Sequence, residues 1–261
     1  VLHDSRPVLV TGATGTLGRA VVQTLLDRGH AVRVVSRRPR TSHDPVGVEW
    51  AVADLVADQG TDSACAGVRA VVHCASEPRG GDRDLVAADA LLRAAGAAGV
   101  EHLVYISIVG VDHVPWPYYE VKRRVEARVV AAGVSWTILR TTQFHDFLVT
   151  LLDRRTHGRI TLAPRRMRNQ PVAVPEVARR LVELVEAGPS GRVPDLAGPQ
   201  VLSAPRAARL LARARGGLHL VVPVPFAAAP PFDGSAHLSP EHADGRTTFA
   251  QHLATAVRPD R

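Results

Sequence analysis

Three side chains in one stretch have the types and spacing to move a proton. Tyr118 and Lys122 stand four residues apart in Tyr-Tyr-Glu-Val-Lys, so on a helix they share one face. A phenol near its reference pKa of about 10 is a poor acid or base at neutral pH. A nearby ammonium stabilises the phenolate and is expected to draw that pKa down. Ser107 lies eleven residues before Tyr118 and could hold a substrate oxygen. Tyr119 is the competing phenol, but it points roughly 100° away around a helix and has Arg123 four residues on. The bland alternative is an amphipathic helix with a packed aromatic. Lys122 stands out because it is the only lysine in a chain of 261 residues, in which the other basic residues are all arginine.

Those side chains need a scaffold, and the scaffold begins at Val8-Leu-Val-Thr-Gly-Ala-Thr-Gly-Thr-Leu-Gly18. Val8 to Val10 reads as a buried strand. The segment from Arg19 to Arg28 has helical periodicity and is stopped by Gly29. Glycines between a strand and a helix let the backbone turn sharply, and the helix N-terminus offers free N–H groups to a pyrophosphate. Gly12, Thr14, Gly15, Thr16, Leu17 and Gly18 are therefore the candidate phosphate cradle of a dinucleotide. With a nicotinamide bound there, Tyr118 could protonate a carbonyl oxygen as hydride arrives. Lys122 could also bond the nicotinamide ribose.

Strands and helices then alternate. The second strand, Ala31 to Ser36, runs into Arg37 and Arg38, with no acid to bond a ribose 2′-hydroxyl. Guanidinium groups match a 2′-phosphate, which favours NADP(H) over NAD; the alternative is a basic pair opening a solvated loop. A third strand, Val48 to Ala53, ends at Asp54 and Leu55. Asp54 could accept from an adenine amino group or cap a helix over Val56 to Ala66. The apolar fourth strand, Val68 to Ala75, ends in His73-Cys74-Ala75-Ser76. Its small residues would let a ribose lie close, while His73 reads as a core histidine. A helix over Asp84 to Ala98, a strand over Val100 to Val109, a helix over Tyr118 to Ala132 and a strand over Val134 to Leu139 complete the pattern. The implied fold is α/β, a Rossmann-type doubly wound parallel sheet.

After residue 156 the periodicity loosens. Expected elements are a strand at Ile160 to Leu162, a strand from Gln170 turning into a helix over Glu176 to Ala187, a strand at Val193 to Ala197, a helix over Leu202 to Ala214 capped by Ser203, and a helix over Thr247 to Ala256. Trp116, Phe144, His145, Met167, Phe226 and Phe232 are candidate pocket residues or ordinary core.

Composition bounds the rest. The formal net charge is +7, but the arginines are scattered rather than gathered in a stripe, which argues against a nucleic acid partner. Two cysteines fit a reducing, cytoplasmic setting. No apolar run approaches the about 18 residues of a membrane span. No signal peptide is read, although Val1 is not a start methionine. The 12 histidines are dispersed, and no metal spacing is present.

The chain resembles the short-chain dehydrogenase/reductase superfamily. Its Thr-Gly-x-x-Gly-x-x-Gly loop is similar to that of the extended and atypical branches. Tyr105-Ile-Ser-Ile-Val-Gly110, Tyr118-Tyr-x-x-Lys122, Trp136-Thr-Ile-Leu-Arg-Thr-Thr-Gln-Phe144, Leu196-Ala-Gly-Pro-Gln-Val-Leu-Ser203 and His237-Leu-Ser-Pro240 resemble the atypical NmrA-like NAD(P)H-binding group. The resemblance implies one Rossmann domain over 1–261, with about 156–170 and 190–245 supplying most of a small substrate lobe. It implies that Thr141, Thr142 and Phe144 flank the nicotinamide. It implies an NADPH-dependent reductase of a carbonyl or conjugated double bond on a small organic molecule, acting as monomer or homodimer. The alternatives are an NADP-retaining isomerase, epimerase or cyclase, and an NADP-sensing regulatory protein. One departure matters: the superfamily's Asn-Ala-Gly is Cys74-Ala-Ser76 here, so an asparagine-dependent proton relay is not expected.

Overall fold

A computed structural model describes residues 5–42, 44–77, 81–216, 218–225 and 234–256. The chain opens with β1 (Val8–Thr11), α1 (Thr16–Asp27), β2 (Val32–Ser36), β3 (Glu49–Val52), α2 (Thr61–Cys65), β4 (Ala70–His73), α3 (Arg83–Ala97), β5 (His102–Ile108), α4 (Pro117–Ala131) and β6 (Trp136–Thr141). Together with the two-residue β10 (Gly191–Arg192), the strands form a seven-stranded sheet ordered β10-β6-β5-β4-β1-β2-β3. β1 pairs in parallel with β2 on one side and β4 on the other. Strand order reverses there, and the crevice outside such a switch point is where open α/β sheets bind ligands. Thr11 is in register with His73, so the glycine loop and Cys74–Ser76 leave the sheet side by side. The expected α/β class and parallel sheet are what the chain forms.

Apolar strands explain the sheet's burial. All four residues of β1 and of β4 are buried. Leu9, Val71, Leu91, Leu103, Tyr105, Val125 and Ile138 share one core cluster, with α3 and α4 packed over one face.

The chain divides into two compact units. The first holds residues 1–107, 117–139 and 177–193; the second holds 108–116, 140–176 and 194–261. The second contains α5 (His145–Asp153), β7 (Thr156–His157), β8 (Ile160–Pro164), β9 (Arg168–Asn169), β11 (Leu202–Ser203), α7 (Ala204–Arg215), β12 (Leu220–Val224) and α8 (Phe249–Ala256). α6 (Val174–Ala187) begins in the second unit and continues in the first. The second unit's core gathers Leu148, Leu152, Met167, Leu202, Leu211, Phe249 and Leu253. Glu176 ties its late segment: Oε1 accepts from the Arg246 and Thr247 amides and from the Thr247 hydroxyl at 2.9–3.0 Å. Ser203 caps α7 as expected, accepting from the Arg206 amide.

Three expected elements differ. The helix over 56–66 is a turn followed by the short α2. Asp54 Oδ1 accepts from the Val56 and Ala57 amides, the Asp54 and Gln59 backbones bond to each other both ways, and positive φ at Asp58 and Gly60 stops a continuous helix. The strand at 193–197 is broken, because Pro194 has no N–H for a ladder; Leu196 keeps a single bridge to Thr141. The strand from Gln170 reduces to one bridge between Val172 and Phe144, where Pro171 has no N–H for a ladder; the Gln170 side chain donates to the Gly198 and Ser239 carbonyls and accepts from the Ser239 amide.

Candidate active site

The glycine loop is built for close approach. Gly12 has φ +66°, and a Cβ placed on it would stand 2.7 Å from the Ala75 nitrogen. A Cβ on Gly18 would stand 2.1 Å from the Gly12 carbonyl oxygen, so α1 starts hard against the loop. Gly15 is the N-cap of α1, no side chain caps the helix, and its first turn holds no acid. Gly15 and Thr16 are exposed, Thr14 is half-buried, and Leu17 is buried in the helix's inner face. An uncapped N-terminus beside exposed backbone suits an anion such as a pyrophosphate. These residues fit a dinucleotide.

At the end of β2, Ser36 is buried, and its hydroxyl accepts from the Arg38 amide at 3.3 Å. The two arginines differ. Arg38 grips both oxygens of Asp44, at 2.6 and 2.7 Å, and lies over the Trp50 ring. That bond holds the Asp44 carboxyl well below the usual carboxylate range. Arg37 is exposed and has no hydrogen-bond or ion-pair partner among the described residues. Asp54 Oδ1 accepts from the Val56 and Ala57 amides of its own turn. Leu55 packs into the core.

Past β4, burial pushes the Cys74 thiol up to about 12. The Ala75 amide donates to the Thr11 hydroxyl at 3.2 Å, and that hydroxyl lies 2.7 Å from His73 Nδ1. His73 is buried, stacks on Tyr105, and is pushed down to about 3 by desolvation and then by the Lys122 charge. It is the neutral core histidine expected.

Ser76 Oγ is 2.7 Å from Tyr118 Oη, and Ser76 donates to Asp84 Oδ2 at 2.6 Å. The strip from Cys74 to Ser76 thus touches the phosphate loop on one side and the candidate proton donor on the other. Tyr119 is buried, with its ring edge-on to Tyr118, whereas Tyr118 is half-buried. Lys122 is 3% exposed and donates to the Ile106 carbonyl at 3.4 Å. Its ammonium lies 4.9 Å from the Tyr105 ring centre and 5.8 Å from that of Tyr118. Ser107 is 1% exposed, and its hydroxyl has no hydrogen-bond partner among the described residues. An orphaned buried hydroxyl is costly unless something bonds it.

The expectation that Lys122 lowers the Tyr118 pKa is corrected. The phenol is pushed up to about 12, by burial first; the Ser76 hydrogen bond acts against the shift, and the Asp84 charge adds to it. Burial also lowers Lys122, against which the Asp84 charge acts. Asp84 was read only as an acid opening a helix; its part in the site comes from a fold contact that spacing does not reveal.

The remaining residues belong to the second unit. Thr141 and Thr142 are buried, and Thr142 Oγ1 accepts from the Gly198 amide at 3.3 Å. Phe144 is the N-cap of α5 and is bridged to Val172. Met167 is core. His145 is buried, stacked on His252 and beside Phe249. Trp116 is 36% exposed. Phe226 and Phe232 lie outside the described residues. Among the described residues no helix is long and apolar enough to cross a membrane.

Residues 12–187 match a family model described as NAD(P)H-binding. A (4-alkanoyl-5-oxo-2,5-dihydrofuran-3-yl)methyl phosphate reductase from Streptomyces griseus is 32% identical over 216 residues, 80% of this chain and 74% of that protein. A 2-alkyl-3-oxoalkanoate reductase from Stenotrophomonas maltophilia is 32% identical over 152 residues, 48% of this chain and 46% of that protein. Among solved structures, the Bordetella bronchiseptica enzyme WbmH in complex with NAD+ has a TM-score of 0.79 at 17% identity, covering 97% of each chain; it shares the fold. Matched by the family model over most of its length, and aligned with a reductase over 80% of it, the chain belongs to the NAD(P)H-binding family of atypical short-chain dehydrogenase/reductases.

Proposed function

We propose that the protein is an NADPH-dependent reductase of a carbonyl or conjugated double bond on a small organic molecule. The observation that carries this reading is the Cys74–Ser76 strip, which packs against Gly12 and bonds Tyr118. It joins a dinucleotide loop to a proton-bearing phenol. The two relatives named as reductases support it, and the second unit would serve as the substrate lobe.

When bound, the nicotinamide supplies hydride. The chain's residues do the rest. The glycine loop and the N-terminus of α1 hold the pyrophosphate. Arg37, exposed and unpaired among the described residues, reads the 2′-phosphate, and Arg38 with Asp44 braces the turn behind it. Lys122 bonds the ribose hydroxyls. Ser107 donates to the substrate oxygen, and Tyr118 gives that oxygen its proton. A phenol held above neutral pH is protonated when substrate arrives, which suits reduction.

The test is NADPH oxidation against a panel of ketones, quinones and enones. Turnover that is lost in Tyr118→Phe and Lys122→Ala supports the reading. Product formed with no net cofactor oxidation would instead mean isomerisation on a retained cofactor. Tight NADPH binding without product on any compound would mean a sensor.

A further inference from the structure

Ser76, just past the end of β4, links the phenol of Tyr118 to a carboxylate. Ser76 has one proton and gives it to Asp84 at 2.6 Å. Its lone pairs then face Tyr118 Oη at 2.7 Å, so the phenol is the donor in that contact. Asp84 is 7% exposed, in the first turn of α3. Its second oxygen accepts from the Glu77 amide at 2.7 Å, which fixes the carboxylate. The chain of bonds has one direction, from Tyr118 to Ser76 to Asp84.

We propose that Ser76 and Asp84 are a positioning couple for Tyr118, in which the carboxylate orients the serine and the serine fixes the direction of the phenol. This rests on Tyr118 being the proton donor. The groups facing the phenol are Ser76 beyond β4, Asp84 on α3, Tyr105 on β5, and Tyr119 and Lys122 on α4. Among them Asp84 is the carboxylate, and its charge opposes phenolate while supporting the Lys122 ammonium. The carboxylate therefore biases the site toward giving a proton rather than taking one. In the reaction one proton leaves Tyr118 Oη for the substrate oxygen, and solvent returns one to the phenolate; the step takes no proton from Asp84 and gives it none.

The chain has three tyrosines, so 13Cζ-tyrosine NMR can follow each ionisation without turnover, with Tyr118→Phe assigning the resonance. In Asp84→Asn the Tyr118 midpoint is expected to fall by about one pH unit or more. Ser76→Ala should move it too, and the double variant should depart from the sum of the single effects. Thermal melts confirm that each variant is folded; if Asp84→Asn is not, Ser76→Ala alone decides. A folded Asp84→Asn whose Tyr118 midpoint matches wild type overturns the couple, as does an unmoved midpoint in Ser76→Ala when that variant decides. A moved midpoint without NADPH oxidation on any compound sinks the reductase reading and leaves the couple standing. Turnover that needs Tyr118, with unmoved midpoints, sinks the couple alone.

Discussion

Gly12 and Ala75 meet backbone to backbone, so closely that a Cβ on Gly12 would stand 2.7 Å from the Ala75 nitrogen. Gly12→Ala must push the phosphate loop away from the strip that bonds Tyr118. Gly29 also has positive φ, at +77°, but a Cβ there meets nothing within 4 Å. Gly29→Ala should cost only the backbone penalty of about 1–2 kcal/mol. Gly12→Ala adds overpacking of about 1–3 kcal/mol and should abolish nucleotide binding. Urea unfolding and NADPH titration separate the two effects. Equal behaviour of the two variants would contradict the close approach.

Tyr118→Phe removes the proton donor and keeps the ring. Turnover should drop by about a hundredfold to ten-thousandfold while NADPH affinity is kept. Lys122→Ala should weaken both, because the ammonium would hold ribose as well. Steady-state rates and cofactor fluorescence report the split.

Arg37 and Arg38 should behave differently despite being neighbours. Arg37→Ala is expected to weaken NADPH by about tenfold to a hundredfold with NADH unchanged. Arg38→Ala should affect the two cofactors alike, since that guanidinium is committed to Asp44. Paired calorimetric titrations check it; an equal loss of NADPH and NADH in Arg37→Ala would remove the 2′-phosphate assignment.

His73 predicts acid sensitivity. Folded, it takes a proton only near pH 3, against 6.5 for an ordinary histidine. Between those values the unfolded chain binds the extra proton, so stability falls as pH falls from about 6.5 toward 3. The loss is about 1.4 kcal/mol per pH unit. His102 and His145 are pushed down in the same direction, to about 4, mainly by burial. Urea midpoints at pH 7.5 and 5.5 should differ accordingly, and His73→Gln should flatten the dependence.

The first half of the fold was legible because each element announces itself locally. Val8 to Gly18 carries strand, turn and helix in one stretch, and Gly29, Gly99 and Gly133 end α1, α3 and α4 where apolar periodicity stops. Residues 56–66 misled because their alanines suit a helix, while the Asp54 side chain and a positive φ at Asp58 build a turn instead. β7, β9, β10 and β11 are two residues long, too short for alternation to register. The site was half legible. Tyr118 and Lys122 are neighbours on a helix, so spacing finds them. Ser76 meets Tyr118 across 42 positions, and Asp84 reads locally as an ordinary first-turn acid. Only the packing of α3 beside α4 brings that carboxylate to the phenol.

The two units are interleaved along the chain, with boundaries at residues 107, 116, 139, 176 and 193. The order of synthesis follows from this. On a ribosome the glycine loop and the first strands emerge early, yet the first unit stays incomplete until residue 193 has been made. The second begins before the first is finished and needs Arg246 and Thr247 for its Glu176 anchor. No single cut in the gene separates the two.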